Sequence, residues 1–350
     1  MFDLEKTVRE NIKRMTPYSS ARKEFSGAGE VFLDANENSF GSPLEKNYHR
    51  YPDPLQTKIK RQIAEWNDVE TGEIFIGNGS DEAIDLLFRI FCRPQKDNVL
   101  IMPPTYGMYE VSAEINDVAV KKVHLNAAYE IDFQTVKKAF DENTKLIFIC
   151  SPNNPTGNLL DRKAILNLIK SFHGIVVVDE AYIHFSKQPS FVAEIKNFPN
   201  LVVLQTFSKA WGLAGLRVGM AFADKQIIRY FNQVKPPYNI SQIAQETVVE
   251  ALKNKAQVEE TIAAIINERG KMIEKLQKFS FVEKIYPTDA NFVLVKTNNA
   301  DLLYELLLEK KIIVRNRNNV ELCEGCLRIT IGTPDENEIL MAALSELTTN

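Results

Sequence analysis

The sequence predicts an α/β protein: a large unit on a mostly parallel sheet flanked by helices, followed by a smaller α+β unit. Short apolar runs recur at Val99–Met102, Leu146–Cys150, Ile175–Val178 and Leu201–Leu204. They are continuous rather than alternating, the mark of strands buried on both faces of a parallel sheet. Helical stretches lie between most of them, and after Pro236-Pro237 the pattern changes to a long helical stretch and then mixed short strands and helices.

Taken in order, Phe2, Leu4, Val8, Ile12 and Met15 repeat at helical spacing up to Pro17. A polar segment, Ser26–Glu30, then precedes a strand-like Val31–Leu33 and a turn-rich stretch through Pro54. Leu55–Trp66 predicts a helix with Leu55, Ile59, Ile63 and Trp66 on one face, and Asp81–Phe91 a second, its acidic start suited to the positive helix end. Ile240 to about Phe279 predicts a long helix broken near Gly270. Beyond it come strands over Asn291–Lys296, Ile312–Arg315 and Leu327–Ile331, and helices over Asp301–Lys310 and Asp335–Leu347. We divide the chain into an N-terminal arm (1–35), a large domain (36–240) and a small domain (241–350).

Composition narrows the function classes. The 350 residues are 45% hydrophobic and 25% charged, an ordinary globular mix, with 42 Lys+Arg against 46 Asp+Glu and a net charge of −4. A protein that binds nucleic acid through its backbone charge needs a basic excess, so that class is disfavoured, though a few arginines can still hold a small anion. No apolar run approaches the ~18–20 residues of a membrane-spanning helix, and the first ten residues carry charges where a signal peptide needs apolar ones. The expectation is a soluble cytoplasmic protein. Cys92, Cys150, Cys323 and Cys326 are too few and scattered for a disulfide framework, and Cys323/Cys326 lack a second ligand pair, so no metal site is expected.

In parallel sheets ligands sit beyond the carboxyl ends of the strands, so the residues following each apolar run are the place to look for chemistry. Ile175–Val178 leads into Asp179, Glu180, Ala181 and Tyr182; alone, Asp179 reads as a cap of the next turn. Leu201–Leu204 leads to Thr206, Ser208 and Lys209, then to Gly212, Gly215, Arg217 and Gly219. Ser151–Gly157 holds Asn153 and Asn154 between prolines, either a rigid turn or a presentation of amides. Gly79, Ser80 and Asp81 open a helix, as helix caps and phosphate cups both do. Tyr106 lies beyond another strand end.

Together these parts match pyridoxal phosphate, which needs a lysine for its aldehyde, an acid for its ring nitrogen, donors for its phenolic oxygen, a phosphate cup and a ring to stack on. Lys209, Asp179, Asn154 with Tyr182, Gly79–Ser80 with Ser208 and Arg217, and Tyr106 supply them in turn.

Asn154–Gly157, Asp179–Tyr182 and Ser208-Lys209 with the stretch to Arg217 resemble the signature of fold-type-I PLP-dependent aminotransferases. Leu33–Asn38, Arg50–Asp53 and Leu327–Pro334 resemble, more closely, the histidinol-phosphate aminotransferase family, with Ser39 where that family commonly has proline. The resemblance runs from about residue 15 to the C-terminus. It implies a homodimer in which Tyr51 reaches the partner subunit's cofactor phosphate. It also implies that Arg328 binds in turn the glutamate carboxylate and the phosphate of histidinol phosphate, with Arg315 and Tyr18 completing that site. Arg317 is read as a solvated strand end. The implied reaction moves an amino group from glutamate to imidazole-acetol phosphate, giving histidinol phosphate and 2-oxoglutarate. The rivals are an aromatic amino acid aminotransferase, a PLP decarboxylase of threonine phosphate, and a non-catalytic PLP-binding regulator.

Overall fold

The computed structural model describes residues 2–18, 31–44 and 46–347. The large sheet has seven strands: β1 (Ile74–Asn78), β2 (Asn98–Ile101), β3 (Ala119–Lys122), β4 (Thr144–Cys150), β5 (Ile175–Asp179), β6 (Leu201–Thr206) and β7 (Val218–Ala223), in the order β1-β7-β6-β5-β4-β2-β3. The four pairings from β6 through β3 are parallel; β7 runs antiparallel to both β6 and β1. The exception has a local cause. Only Phe207–Arg217 joins β6 to β7, too short for a helical crossover, so the chain must turn back on itself. That reversal places the start of β7, with Arg217, at the edge where the other strands end.

β4, β5 and β6 are buried on both faces, and each face has its own apolar layer. In one, Phe148 stacks between Phe88 (5.5 Å) and Tyr109 (4.7 Å). Val8 and Ile12 of the N-terminal arm pack into the same layer. The arm is two short helices, Leu4–Thr7 and Glu10–Arg14, rather than the single helix expected, because Val8 and Arg9 have extended backbone. Val31–Leu33 forms no strand; it is tied to Arg50, which donates to the Phe32 carbonyl (3.1 Å). The Ser26–Glu30 segment lies outside the described residues.

The helix expected from Leu55 starts at Thr57, since the Asp53 carboxylate accepts from the Leu55 and Thr57 N–H groups (2.8 and 2.7 Å) and holds a turn there. The long helix breaks at Lys253-Asn254, between helices Gln242–Leu252 and Lys255–Leu276, and not at Gly270. A Cβ at Gly270 would meet nothing, so that glycine sits on an open helix face and interrupts nothing. The apolar runs predict no strand at β1, β3 or β7, which the structure adds.

The second sheet is antiparallel: β8 (Val282–Ile285), β9 (Phe292–Thr297), β10 (Arg315–Asn316) and β11 (Cys326–Thr330), in the order β10-β11-β9-β8. Leu327 and Ile329 of β11 face a helical layer that includes Leu303, Leu307, Leu340 and Leu344. By the two-residue period of a strand, Arg328 points the other way, with its β9 partner Leu294, which belongs to the large-sheet core.

Phe148→Ala removes the ring on which Tyr109 and Phe88 both rest. It is expected to cost about 3–5 kcal/mol in chemical denaturation; a loss below about 1 kcal/mol would contradict this packing.

Candidate active site

A cavity of about 880 Å³ opens where the strands of the large sheet end, and its far wall comes from the small sheet. Gly79, Ser80, Asp81, Tyr106, Asn154, Asp179, Tyr182, Thr206, Ser208, Lys209, Arg217, Arg315 and Arg328 all line it. Tyr51 and Tyr18 do not. Tyr51 stacks on Tyr238 (4.4 Å) at a separate surface depression, and Tyr18 is exposed.

Asp179 ends β5 and is buried. One carboxylate oxygen accepts from the Tyr109 hydroxyl (2.7 Å) and the other from the Ala181 N–H (3.1 Å). Burial outweighs both donors and pushes the carboxyl up to about 6. Tyr109 was missed in the sequence, although its signal was present: it stands one helical turn after Tyr106 and meets it edge-on (5.5 Å).

Lys209 extends into the cavity with its ammonium 5.6 Å from the centre of the Tyr182 ring, and among the described residues it forms no ion pair. Partial burial lowers its pKa, helped by the positive Arg328 and Arg217 and opposed by Asp179. Tyr182 is itself held edge-on by Phe292 (5.2 Å).

At one end the chain forms a tight cup. Gly79 has φ +69° and opens helix Gly79–Phe91; a Cβ on it would lie 2.8 Å from the Arg217 guanidinium. A Cβ on Gly219 would lie 2.3 Å from the Ser80 nitrogen. Gly219 is needed for the approach of the two backbones, and Gly79 for its positive φ. Arg217 donates to Ser208 Oγ (3.4 Å) and pairs with Asp81 (3.4 Å), which also accepts from the Tyr106 hydroxyl (3.1 Å). Thr206 Oγ1 bridges to Ser208 Oγ (3.0 Å). Helix N–H groups, a hydroxyl and an arginine together suit a phosphate.

The two asparagines of the Ser151–Gly157 loop have different jobs. Asn153 donates to the Pro104 carbonyl and to Thr156 Oγ1 (both 2.8 Å), fixing the loop. Asn154 faces the cavity, where its side-chain oxygen accepts from Arg328, leaving its NH₂ to donate. Arg315 is the direct β10 partner of Arg328. Arg317, expected to be a solvated strand end, instead lines the cavity. Its N–H continues the ladder to the Cys326 carbonyl (2.9 Å), and two-residue periodicity returns its side chain to the face of Arg315. The cavity can thus hold a phosphate at one end and a second anion at the other, with an amine and a buried acid between them.

Residues 31–344 match the family model for aminotransferase class I and II. A histidinol-phosphate aminotransferase from Parabacteroides distasonis is 51% identical over 347 residues, covering 99% of each chain. Among solved structures, the histidinol-phosphate aminotransferase from Clostridium acetobutylicum superposes with a TM-score of 0.80 at 28% identity, covering 87% of this chain and 92% of that one. L-threonine-O-3-phosphate decarboxylase from Porphyromonas gingivalis has a TM-score of 0.74 at 26% identity, covering 87% and 92%.

Because the fold favours the protonated form of Asp179, its contribution to stability is fully present below the ordinary pKa of 3.8 and lost as pH rises through about 6. In ligand-free protein at pH 8, Asp179→Asn is expected to stabilise the fold by about 2–3 kcal/mol, a gain that shrinks towards pH 4. Thermal unfolding across pH checks this; a variant less stable than the parent at pH 8 would contradict it.

Proposed function

The chain belongs to the class I and II aminotransferases, and from that premise we propose how its residues divide the work of a histidinol-phosphate aminotransferase. The enzyme uses pyridoxal 5′-phosphate and moves an amino group between glutamate and imidazole-acetol phosphate, giving histidinol phosphate and 2-oxoglutarate. One observation carries the assignment of roles: Lys209 and the buried Asp179 share a single cavity with the Arg315–Arg328 pair. An amino compound with an anionic tail can therefore meet the amine and the arginines together.

The residues fit the cofactor. Gly79 lines the cavity beside the Arg217 guanidinium, where a Cβ would crowd the cup, and Asp179 is a buried acid with no cation in ion-pair reach among the described residues. When bound, pyridoxal phosphate supplies an aldehyde that condenses with amines and a ring that spreads the charge left when the α-proton departs. Gly79, Ser80, Ser208 and Arg217 hold its phosphate, with Asp81 and Thr206 positioning Arg217 and Ser208. Tyr106, anchored by Asp81, offers its ring for stacking. Asn154 and Tyr182, on the cavity wall, would hold the phenolic oxygen. Asp179 would place negative charge beside the ring nitrogen and keep a proton on it, a partner that would favour ionisation of this buried carboxyl.

Lys209 acts twice. With the cofactor bound, its Nζ would be the amine that holds the aldehyde. As a free neutral amine, Nζ would take up the proton that leaves the substrate's α-carbon and return it. Its lowered pKa keeps more of the amine neutral and able to accept that proton. Arg328, with Arg315, anchors the anionic end of each substrate in turn; its planar fork matches carboxylate and phosphate alike.

The working form is a homodimer. Support comes from the exposed apolar Val31, Leu33, Phe40 and Leu44 and from Tyr51 standing outside its own cavity, free to serve the partner subunit's site together with Tyr18. The four buried thiols suit a reducing compartment, and we place the enzyme in the cytoplasm.

Two experiments test these roles. Amines added singly to the cofactor-loaded enzyme are expected to discharge its visible band quickly with histidinol phosphate and glutamate and slowly with phenylalanine or tyrosine. Equal rates would move the substrate to aromatic amino acids, and carbon dioxide from threonine phosphate would move the reaction to decarboxylation. Lys209→Ala is expected to bind the cofactor and lose all turnover; full turnover would remove Lys209 from its role.

A further inference from the structure

Arg317 is half-buried on the cavity wall, and its Nε is fully buried with no hydrogen-bond partner. The unmatched charge is larger than one residue. Among the described residues, no carboxylate lies within ion-pair distance of Arg315, Arg317 or Arg328, although four acids line the same cavity. Each acid is committed elsewhere: Asp81 to Arg217 and Tyr106, Asp179 to Tyr109, Glu110 to Lys122 (2.5 Å), and Glu321 to His124 (2.7 Å). The consequence is visible in Arg317 itself, whose pKa is pushed down to about 10 by burial and by the neighbouring Arg328 and Arg315.

A monocarboxylate presents two oxygens, which one guanidinium fork satisfies. A phosphate monoester presents three terminal oxygens and close to two charges at neutral pH. Two arginines already cover one carboxylate, and the third oxygen and second charge of a phosphate offer a further arginine a partner. We propose that Arg317 is a further anion-binding residue of this site, contacting the substrate phosphate beside Arg315 and Arg328 and thereby selecting phosphate-bearing amino substrates over carboxylate-bearing ones. The proposal rests on the histidinol-phosphate reading above. The backbone N–H of Arg317, not its side chain, makes the ladder bond to Cys326, so the side chain can be changed without removing that bond.

The test uses cofactor-loaded enzyme and its Arg317→Gln and Arg317→Lys variants, with half-reactions on histidinol phosphate, histidinol and glutamate. Arg317→Gln is expected to lower kcat/KM for histidinol phosphate about ten- to a hundredfold, the range for loss of one charge-assisted hydrogen bond, chiefly through KM. The loss for glutamate is expected to be several-fold smaller, and histidinol, lacking the phosphate, should be hardly affected. Competitive inhibition by inorganic phosphate should weaken in parallel, and Arg317→Lys should restore part of the loss by returning charge without the fork. An unchanged visible band and melting temperature would separate this from general damage. Equal losses for histidinol phosphate and glutamate, or no loss for histidinol phosphate, would overturn the proposal. Wild-type enzyme that fails to prefer histidinol phosphate over histidinol would instead overturn the functional reading beneath it.

Discussion

The architecture of this site depends on keeping one carboxyl group, Asp179, buried at the end of a central strand with no cation bonded to it among the described residues. A buried charge in that position is costly unless something answers it. The protein answers only in part, with a tyrosine hydroxyl and one backbone N–H, and the carboxyl stays near 6. The remaining deficit is what a protonated ring nitrogen would fill. The surrounding structure serves this arrangement: Phe148 supports Tyr109, Tyr109 aims at Asp179, and β4 and β6 flank β5 along their length.

The same edge of the sheet gathers groups that are far apart in sequence because parallel strands end together. β1 delivers Gly79, β2 the Tyr106 segment, β4 the Asn154 loop and β6 Lys209. Arg217 joins them only because β7 runs backwards, so its first residue stands where the others have their last. The small sheet then closes the cavity from the opposite side. Strand alternation sends Leu327 and Ile329 into its own core and Arg328 across to Asn154.

Much of this was legible because the chemistry sits immediately after strongly apolar runs. Asp179, Lys209, Asn154 and Tyr106 could be placed at a common edge from those runs alone. What escaped depended on register or on weak patterns. Arg317 looked solvated because nothing in the chain reveals that β10 pairs with β11 so as to set Arg315 beside Arg328. Tyr109 was passed over, since its contact with Asp179 spans a helix and a strand 70 residues apart. β3 is a half-exposed edge strand ending in two lysines, which is how edges avoid unwanted pairing and also how they hide from pattern reading. The helix break at Lys253-Asn254 carries no glycine or proline, whereas Gly270, which does suggest a break, rides on an open helix face.

The most direct measurement of the central claim is an infrared titration of the Asp179 carboxyl, taken as the difference between wild type and Asp179→Asn, with and without pyridoxal phosphate. The account predicts a midpoint near 6 in the ligand-free protein and a carboxylate that stays ionised well below that pH once the cofactor is bound. A midpoint that does not move on loading would mean that Asp179 does not answer the ring nitrogen, and the site would need a different explanation.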